Sequence, residues 1–300
     1  MAFEQTELNY AKEYSQALAQ AYPYTLQFGA LWSATKPDVK FLNNNTVILP
    51  SLTVKGRSNG DRDTIGTFSR NFNNAEETKT LSNHRTWQTL IHPRDIDETN
   101  HVATIQNITK VMNEEQKFPE MDAEMITALY SLKNAIETIE GGDALDTSNV
   151  LTKFDELMDV MDEARVPAVG RLLYVDTYTK TLIDTAKDTA RFLAATDNSV
   201  NRVIDRIGEV EVISVPTSAM KSAYEFTDDG FAASDDANDV KMLLVHPSAI
   251  IPVISYDFAQ LGAPNSLSQG KWTYFEESFE DVFIYDKKHA GIQFYIETTA

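Results

Sequence analysis

The segment Ser148-Asn-Val-Leu-Thr-Lys-Phe-Asp-Glu-Leu-Met-Asp-Val-Met-Asp-Glu-Ala-Arg-Val-Pro-Ala-Val-Gly-Arg-Leu-Leu-Tyr-Val175 constrains the fold most tightly. Val150, Leu151, Phe154, Leu157, Met158 and Met161 recur at spacings of three and four, while Asp155, Glu156, Asp159, Asp162 and Glu163 fall mostly on the other side. That pattern predicts an amphipathic helix over about Thr147 to Glu163 with one strongly acidic face. Val166-Pro167 turns the chain, and Gly170-Arg171 opens an apolar run that reads as a strand. A helix that hands over to a buried strand within a few residues indicates a domain of mixed helix and sheet.

The 300 residues, 42% of them apolar, can bury a sizeable core in one elaborate domain or in two. A net charge of −19 argues against a protein that wraps nucleic acid on a basic face, because such binding needs clustered Lys and Arg to displace counterions. No cysteine is present, which excludes disulfides and thiolate metal sites and suits synthesis in a reducing compartment. Residues 1–20 carry Glu4, Glu7 and Glu13 and lack the basic-then-apolar pattern of a secretory signal. Charged or amide residues interrupt every apolar run before it reaches membrane-spanning length, so a soluble chain with no membrane partner is expected.

Tyr10, Tyr14, Leu18 and Tyr22 form a short helical pattern, followed by an aromatic stretch with Tyr24, Phe28 and Trp32. These rings suit either an arm laid across the domain or a neighbour, or a helix packed on its own domain. Thr46–Val54 and Arg85–Ile91 are rich in β-branched and aromatic residues and are expected to form the two strands of one long hairpin with a soft polar tip. Lys55, Arg57, Arg62, Arg70 and Lys79 make the intervening stretch locally basic in an acidic chain. Thr99 or Asn100 caps a helical pattern through Val102, Ile105, Ile108, Val111 and Met112. Pro119 opens a second one with Met121, Met125, Leu129, Leu132, Ile136 and Ile139 on one face, which Gly141-Gly142 ends.

Farther on, a helix is expected over about Thr177 to Ala195, and a strand over Glu209–Val215. An acidic loop follows from Glu225 to Asp239, and a buried strand from Lys241 runs to His246-Pro247. Asp281–Tyr285 and Gly291–Ile296 read as the two strands of a terminal hairpin. The search for chemistry is negative. Gly270-Lys271 lacks the earlier glycine and the following hydroxyl of a phosphate loop, and the five histidines show no zinc-helix spacing. No Gly-x-Ser-x-Gly elbow is present, and the aspartates of 225–239 lack the ligand spacing of a calcium loop. The consecutive acids of the 147–163 helix read as its solvated face. No catalytic residue, cofactor or metal site is assigned.

Val166-Pro167, Gly170 and Arg171 after the acidic helix resemble the "vP-x-x-g-R" link of tailed-bacteriophage major capsid proteins. Phe118-Pro119-Glu120-Met121-Asp122-Ala123 resembles the start of their long spine helix. The resemblance implies the α+β fold typified by phage HK97, with an N-terminal arm (1–45) and an extended E-loop hairpin (46–92). A peripheral domain with the spine helix (93–164) and an axial domain (165–270) follow, and C-terminal strands (271–300) return to the peripheral domain. It implies a non-enzymatic shell protein that assembles as hexamers and pentamers and encloses double-stranded DNA without reading its sequence. The virion is its location, the host bacterial cytoplasm its place of assembly, and a portal and a separate scaffolding or decoration protein its further partners. Lys55, Arg57, Arg62 and Arg70 of the E-loop, the arm aromatics Tyr24, Phe28 and Trp32, and the helix acids Asp155, Asp159 and Asp162 are the expected inter-subunit contacts. A nanocompartment shell shares the fold and differs by enclosing a cargo enzyme. An unrelated soluble α/β enzyme is the alternative from another class, and it requires a pocket with converging polar groups.

Overall fold

The computed structural model describes residues 24–34, 40–43, 46–57, 59, 69–98, 104–186, 206–228 and 230–297. The expected helix through Tyr10 to Tyr22, the cap at Thr99 or Asn100, Arg62, and the far end of the helix expected to reach Ala195 lie outside the described residues.

Four sheets form among the described residues, and two of them organise the core. The first has six strands: β5 (Gly141–Gly142), β14 (Ile292–Glu297), β11 (Val240–Val245), β6 (Leu172–Asp176), β8 (Val210–Val215) and β7 (Arg206–Ile207), in that spatial order. Its central strands are buried on both faces, with Leu173, Tyr174, Val175, Leu243 and Leu244 fully inaccessible, as their near-continuous apolar runs require. Helices α5 (Val150–Glu163) and α6 (Thr177–Thr185) pack on this sheet through Phe154, Met161, Leu182 and Ile183.

The second sheet has three strands: β12 (Ile250–Gly262), β13 (Trp272–Ile284) and β4 (His84–Ile91). The long helix α4 (Phe118–Ile136) lies against β13 and sends Met125, Ile126 and Leu129 into the core it shares with Phe28, Tyr174 and Phe294. Its N-terminal end does not begin afresh at Pro119. Helix α3 (Ile105–Met112), capped by the Thr104 hydroxyl on the Asn107 amide, runs into it through one π turn, Asn113–Lys117. Proline fits there because the wider turn leaves its missing N–H without a required partner.

Three expectations from the sequence are corrected by the strand pairing. β2 (Thr46–Val54) pairs with β3 (Phe72–Thr80), with Val54 opposite Phe72, and β4 joins the other sheet beside β13. β1 (Lys40–Asn43) flanks β2 on its other edge. Asp281–Tyr285 and Gly291–Ile296 are not a hairpin, because the 3-10 turn Asp286–Gly291 carries the chain from β13 in one sheet to β14 in the other. Both strands are buried, and each finds two flanking partners only by separating. The stretch 225–239, expected as a loop, contains a strand pair, β9 (Tyr224–Thr227) with β10 (Gly230–Ala233). β12 pairs with β13 across the boundary expected at 270/271, and β14 lies in the six-stranded sheet.

Gly141-Gly142 does not merely end α4; it forms β5, parallel to β14. A Cβ on Gly142 would stand 2.3 Å from the hydroxyl of Tyr295, which donates to the Asp143 carbonyl at 2.8 Å. Close approach of backbone to ring requires glycine at this position.

Candidate functional site

The link from α5 to β6 is built as one unit. Helix α5 closes with Arg165 in the left-handed region at φ 59°, its amide donating to the Asp162 carbonyl at 2.9 Å while that of Val166 reaches Met161 at 2.9 Å. This is the paired hydrogen-bond pattern of a Schellman ending, with arginine where glycine is usual. Gly170 then takes φ +89°, and the Arg171 side chain turns back, fully buried, beneath the link. Its Nε donates to the Pro167 carbonyl at 3.0 Å, and its Nη2 to the Val166 carbonyl and the Asp162 carboxylate at 2.6 Å each. His246 ties the same link to the end of β11. Its Nδ1 accepts from the Ser248 amide at 3.2 Å, which assigns the ring proton to Nε2, and this nitrogen donates to the Val169 carbonyl at 3.2 Å. Burial, opposed by that bond, holds the His246 pKa below its ordinary value.

This geometry divides the three expected acidic contacts. Asp162 is engaged by Arg171 within the chain, Asp155 is half-buried, and Asp159 is exposed on the solvent side of α5. Glu156 beside them is paired with Lys153 at 2.8 Å.

The aromatic residues of the N-terminal segment are also divided. Phe28 and Trp32 are buried in the chain's own core, with the Phe28 ring 4.7 Å from that of Tyr174, so neither is presented to a neighbouring copy. Of the two sequence readings, packing on the chain's own domain is the one realised for these rings. Tyr24 donates to Asp122 Oδ2 at 2.8 Å, and the amides of Gln27 and Phe28 donate to the same carboxylate at 2.7 and 3.0 Å. Asp122, on the face of α4 turned away from β13, thus anchors the segment by three hydrogen bonds. Its burial raises its pKa to about 6 against the opposing pull of these donors.

The β2–β3 hairpin has the opposite character. Beyond Leu49 almost every residue of both strands is exposed, including Leu52, Val54 and Phe72. Lys55, Arg57 and Arg70 are exposed at its distal end, and Lys55 still closes the ladder through its amide on the Asn71 carbonyl at 2.8 Å. Its base is secured by Val47 and Leu49 against Ile251, Val253 and Phe283, and by Lys79 on Asp286 at 2.8 Å, and farther out Lys287 Nζ donates to the Leu52 carbonyl at 3.3 Å and the Thr53 hydroxyl at 3.4 Å. Beyond Ile48, where β1 no longer flanks β2, the two-stranded ribbon with apolar side chains open to water is at best marginal without a covering surface.

A further cluster escaped the sequence reading. Between α4 and the three-stranded sheet, Arg85 of β4 pairs with Glu120, and Lys117 of the π turn pairs with Glu276 of β13. Glu280 and Asp281 of β13 are buried beside them and Glu124 is half-buried. The members come from four separate segments, so no local motif announces them. The alternation Tyr274, Glu276, Ser278, Glu280 was the available signal, since it places acids on one strand face.

Among the described residues no group of His, Cys, Asp and Glu is arranged to hold a metal ion, and no helix is long and apolar enough to cross a membrane. A surface groove of about 370 Å³ is lined by Gln106, Thr109, Lys110, Asn113, Glu114 and Phe118.

No protein-family model matches the chain, and no curated protein sequence does. Its structure matches solved phage capsids over almost its whole length. The mature capsid of bacteriophage PhiM1 aligns over 97% of this chain and 92% of its own, with a TM-score of 0.71 at 12% identity. The capsid of cyanophage P-SCSP1u covers 97% and 93%, with a TM-score of 0.70 at 12% identity. The capsid of Ralstonia phage GP4 covers 97% and 95%, with a TM-score of 0.60 at 9% identity. The chain has the α+β fold of these capsid subunits.

Proposed function

We propose that this chain is the major capsid protein of a tailed bacteriophage, a non-enzymatic subunit whose function lies in contacts between copies. The observation that carries the reading is the fold shared with phage capsids over 97% of the chain, added to a basic hairpin that its own chain leaves uncovered. On this reading the β2–β3 hairpin is the E-loop, and α4 with the three-stranded sheet is the peripheral domain. The six-stranded sheet with α5 and α6 is the axial domain, whose ends meet at the centre of hexamers and pentamers. The shell is the virion head, assembled in the host cytoplasm around a portal, with scaffolding supplied by a separate protein.

Assembly then follows from burial and charge. Leu52, Val54 and Phe72 lose water-exposed apolar surface when the hairpin lies on a neighbour, at roughly 25 cal/mol per Å². Lys55, Arg57, Arg62 and Arg70 steer that contact toward acidic surface, for which the exposed acids of α5, Asp159 foremost, are the proposed receptor. The acidic balance of the chain leaves enclosed DNA without a basic wall to adhere to. Expression of the full chain, followed by size-exclusion chromatography and negative-stain electron microscopy, tests the reading. Closed shells, tubes, or rings of five or six copies are expected, with nucleic acid and not a cargo enzyme as the contents of shells from infected cells.

A further inference from the structure

The seam between α4 and the three-stranded sheet contains more buried acid than base. Glu120 and Glu124 stand one helical turn apart on the face of α4 that meets β13, Glu276 and Glu280 lie on one face of β13, and the charge of the adjacent Asp281 also acts on Glu124. Against these five carboxyl groups stand two cations, Arg85 from β4 and Lys117 from the π turn. Each cation already has a partner: Arg85 holds Glu120 and donates to the Thr227 carbonyl at 3.0 Å, and Lys117 holds Glu276. Asp257 of β12 adds a further negative charge acting on Lys117 and Glu280. Asp281 is satisfied by the amides of Ser82 and Asn83 at 2.6 and 3.0 Å, and Glu280 accepts from the Ser278 hydroxyl at 2.9 Å. Glu124 feels the like charges of Asp281, Glu120 and Glu280, opposed by Arg85.

We propose that this seam is a proton-operated joint, in which α4 is clamped to β13 while the surplus carboxyl groups hold protons and is loosened when they release them. Deprotonation sets like charges against one another in a place water reaches poorly, where repulsion is little screened. Arg85 and Lys117, each already paired with Glu120 or Glu276, offset that repulsion only in part.

The protonation behaviour of the members agrees with this geometry. Burial, then the carboxylates of Asp281, Glu120 and Glu280, raise Glu124 from its ordinary 4.5 to about 7, with Arg85 pulling the other way. Burial likewise raises Glu280 and Asp281. An acid whose pKa is raised in the closed state keeps its proton over a range in which the open state has already lost it. Closure is therefore favoured at the acid end and loses that advantage as pH rises from about 4.5 through about 7, beyond which it levels off.

Hydrogen exchange on the full-length subunit, corrected for intrinsic rates, tests the joint without reference to shell formation, so its outcome and that of the capsid reading are separable. Between about pH 5 and about pH 8, the amides of α4 and β13 are expected to lose protection by more than about tenfold, while those of β6 and β11 do not. Glu124→Gln, and independently Glu280→Gln, should flatten that loss. Equal protection changes in the two sheets of the wild-type chain would overturn the proposal by themselves. So would a wild-type response preserved unchanged in either folded variant.

Discussion

Arg171 shows how one buried side chain can hold a turn that the backbone alone would leave unpaired. Its guanidinium satisfies the carbonyls of Val166 and Pro167 and the carboxylate of Asp162, which close the end of α5 onto the start of β6. Removing it by Arg171→Ala leaves two part-buried carbonyls without their donor and empties the buried space of the side chain, at a cost of about 2 kcal/mol. Arg171→Lys should recover little of this, because an ammonium lacks the planar fork that reaches three acceptors at once. Urea unfolding of the two variants measures both numbers. Arg165→Gly at the left-handed C-terminal position of α5 should do the reverse and stabilise by roughly 0.5–1 kcal/mol, as it relieves the conformation that an L side chain tolerates least. The importance of Gly170 and Arg171 was legible in the sequence as a pattern. The partners of Arg171 were not, since they are mostly backbone carbonyls, which every residue offers.

At the scale of elements, what the sequence showed well was local, and what it hid was pairing. The acidic helix α5, its Val-Pro stop and the strand after it were readable because apolar spacing and turn residues lie within one short segment. The partner of β2 was not. β3 reads Phe-Asn-Asn-Ala-Glu-Glu-Thr-Lys-Thr, with little preference for a strand, and it forms one because the exposed ladder of β2 supplies its hydrogen bonds. The aromatic-rich β4 looked the better mate and instead fills the sheet beside β13. The acid-rich seam was hidden for the same reason, its members being distributed over α4, β4, β13 and the π turn. The exposure of the hairpin makes it a clean target. Arg57→Glu with Arg70→Glu, both exposed, should leave thermal unfolding of the subunit nearly unmoved, as exposed surface changes do. It should lower the yield of shells and their tolerance of salt. Unchanged yield and salt tolerance would remove the electrostatic part of the docking argument. Leu52→Ser with Phe72→Ser separates the apolar part, with assembly weakened and the subunit still folded.

Across the whole molecule, two sheets with different roles share one core around α4. Its Asp122 side anchors the N-terminal segment, its Glu120 and Glu124 side meets the three-stranded sheet, and its apolar residues reach the six-stranded sheet through Tyr174 and Phe294. A subunit built this way is self-sufficient at its centre and incomplete at the hairpin, as expected of a protein that finishes its packing on other copies. The class of the fold was legible because a few link residues carry it. The architecture emerged only from strand order, in which β14 returns to the sheet that β6 began. The most direct test is the assembly state of the full chain expressed alone, read by negative-stain electron microscopy after size exclusion. Closed shells, tubes, or rings of five or six are the result this account requires. A monodisperse small oligomer that stays small under crowding and with added scaffolding protein would contradict it.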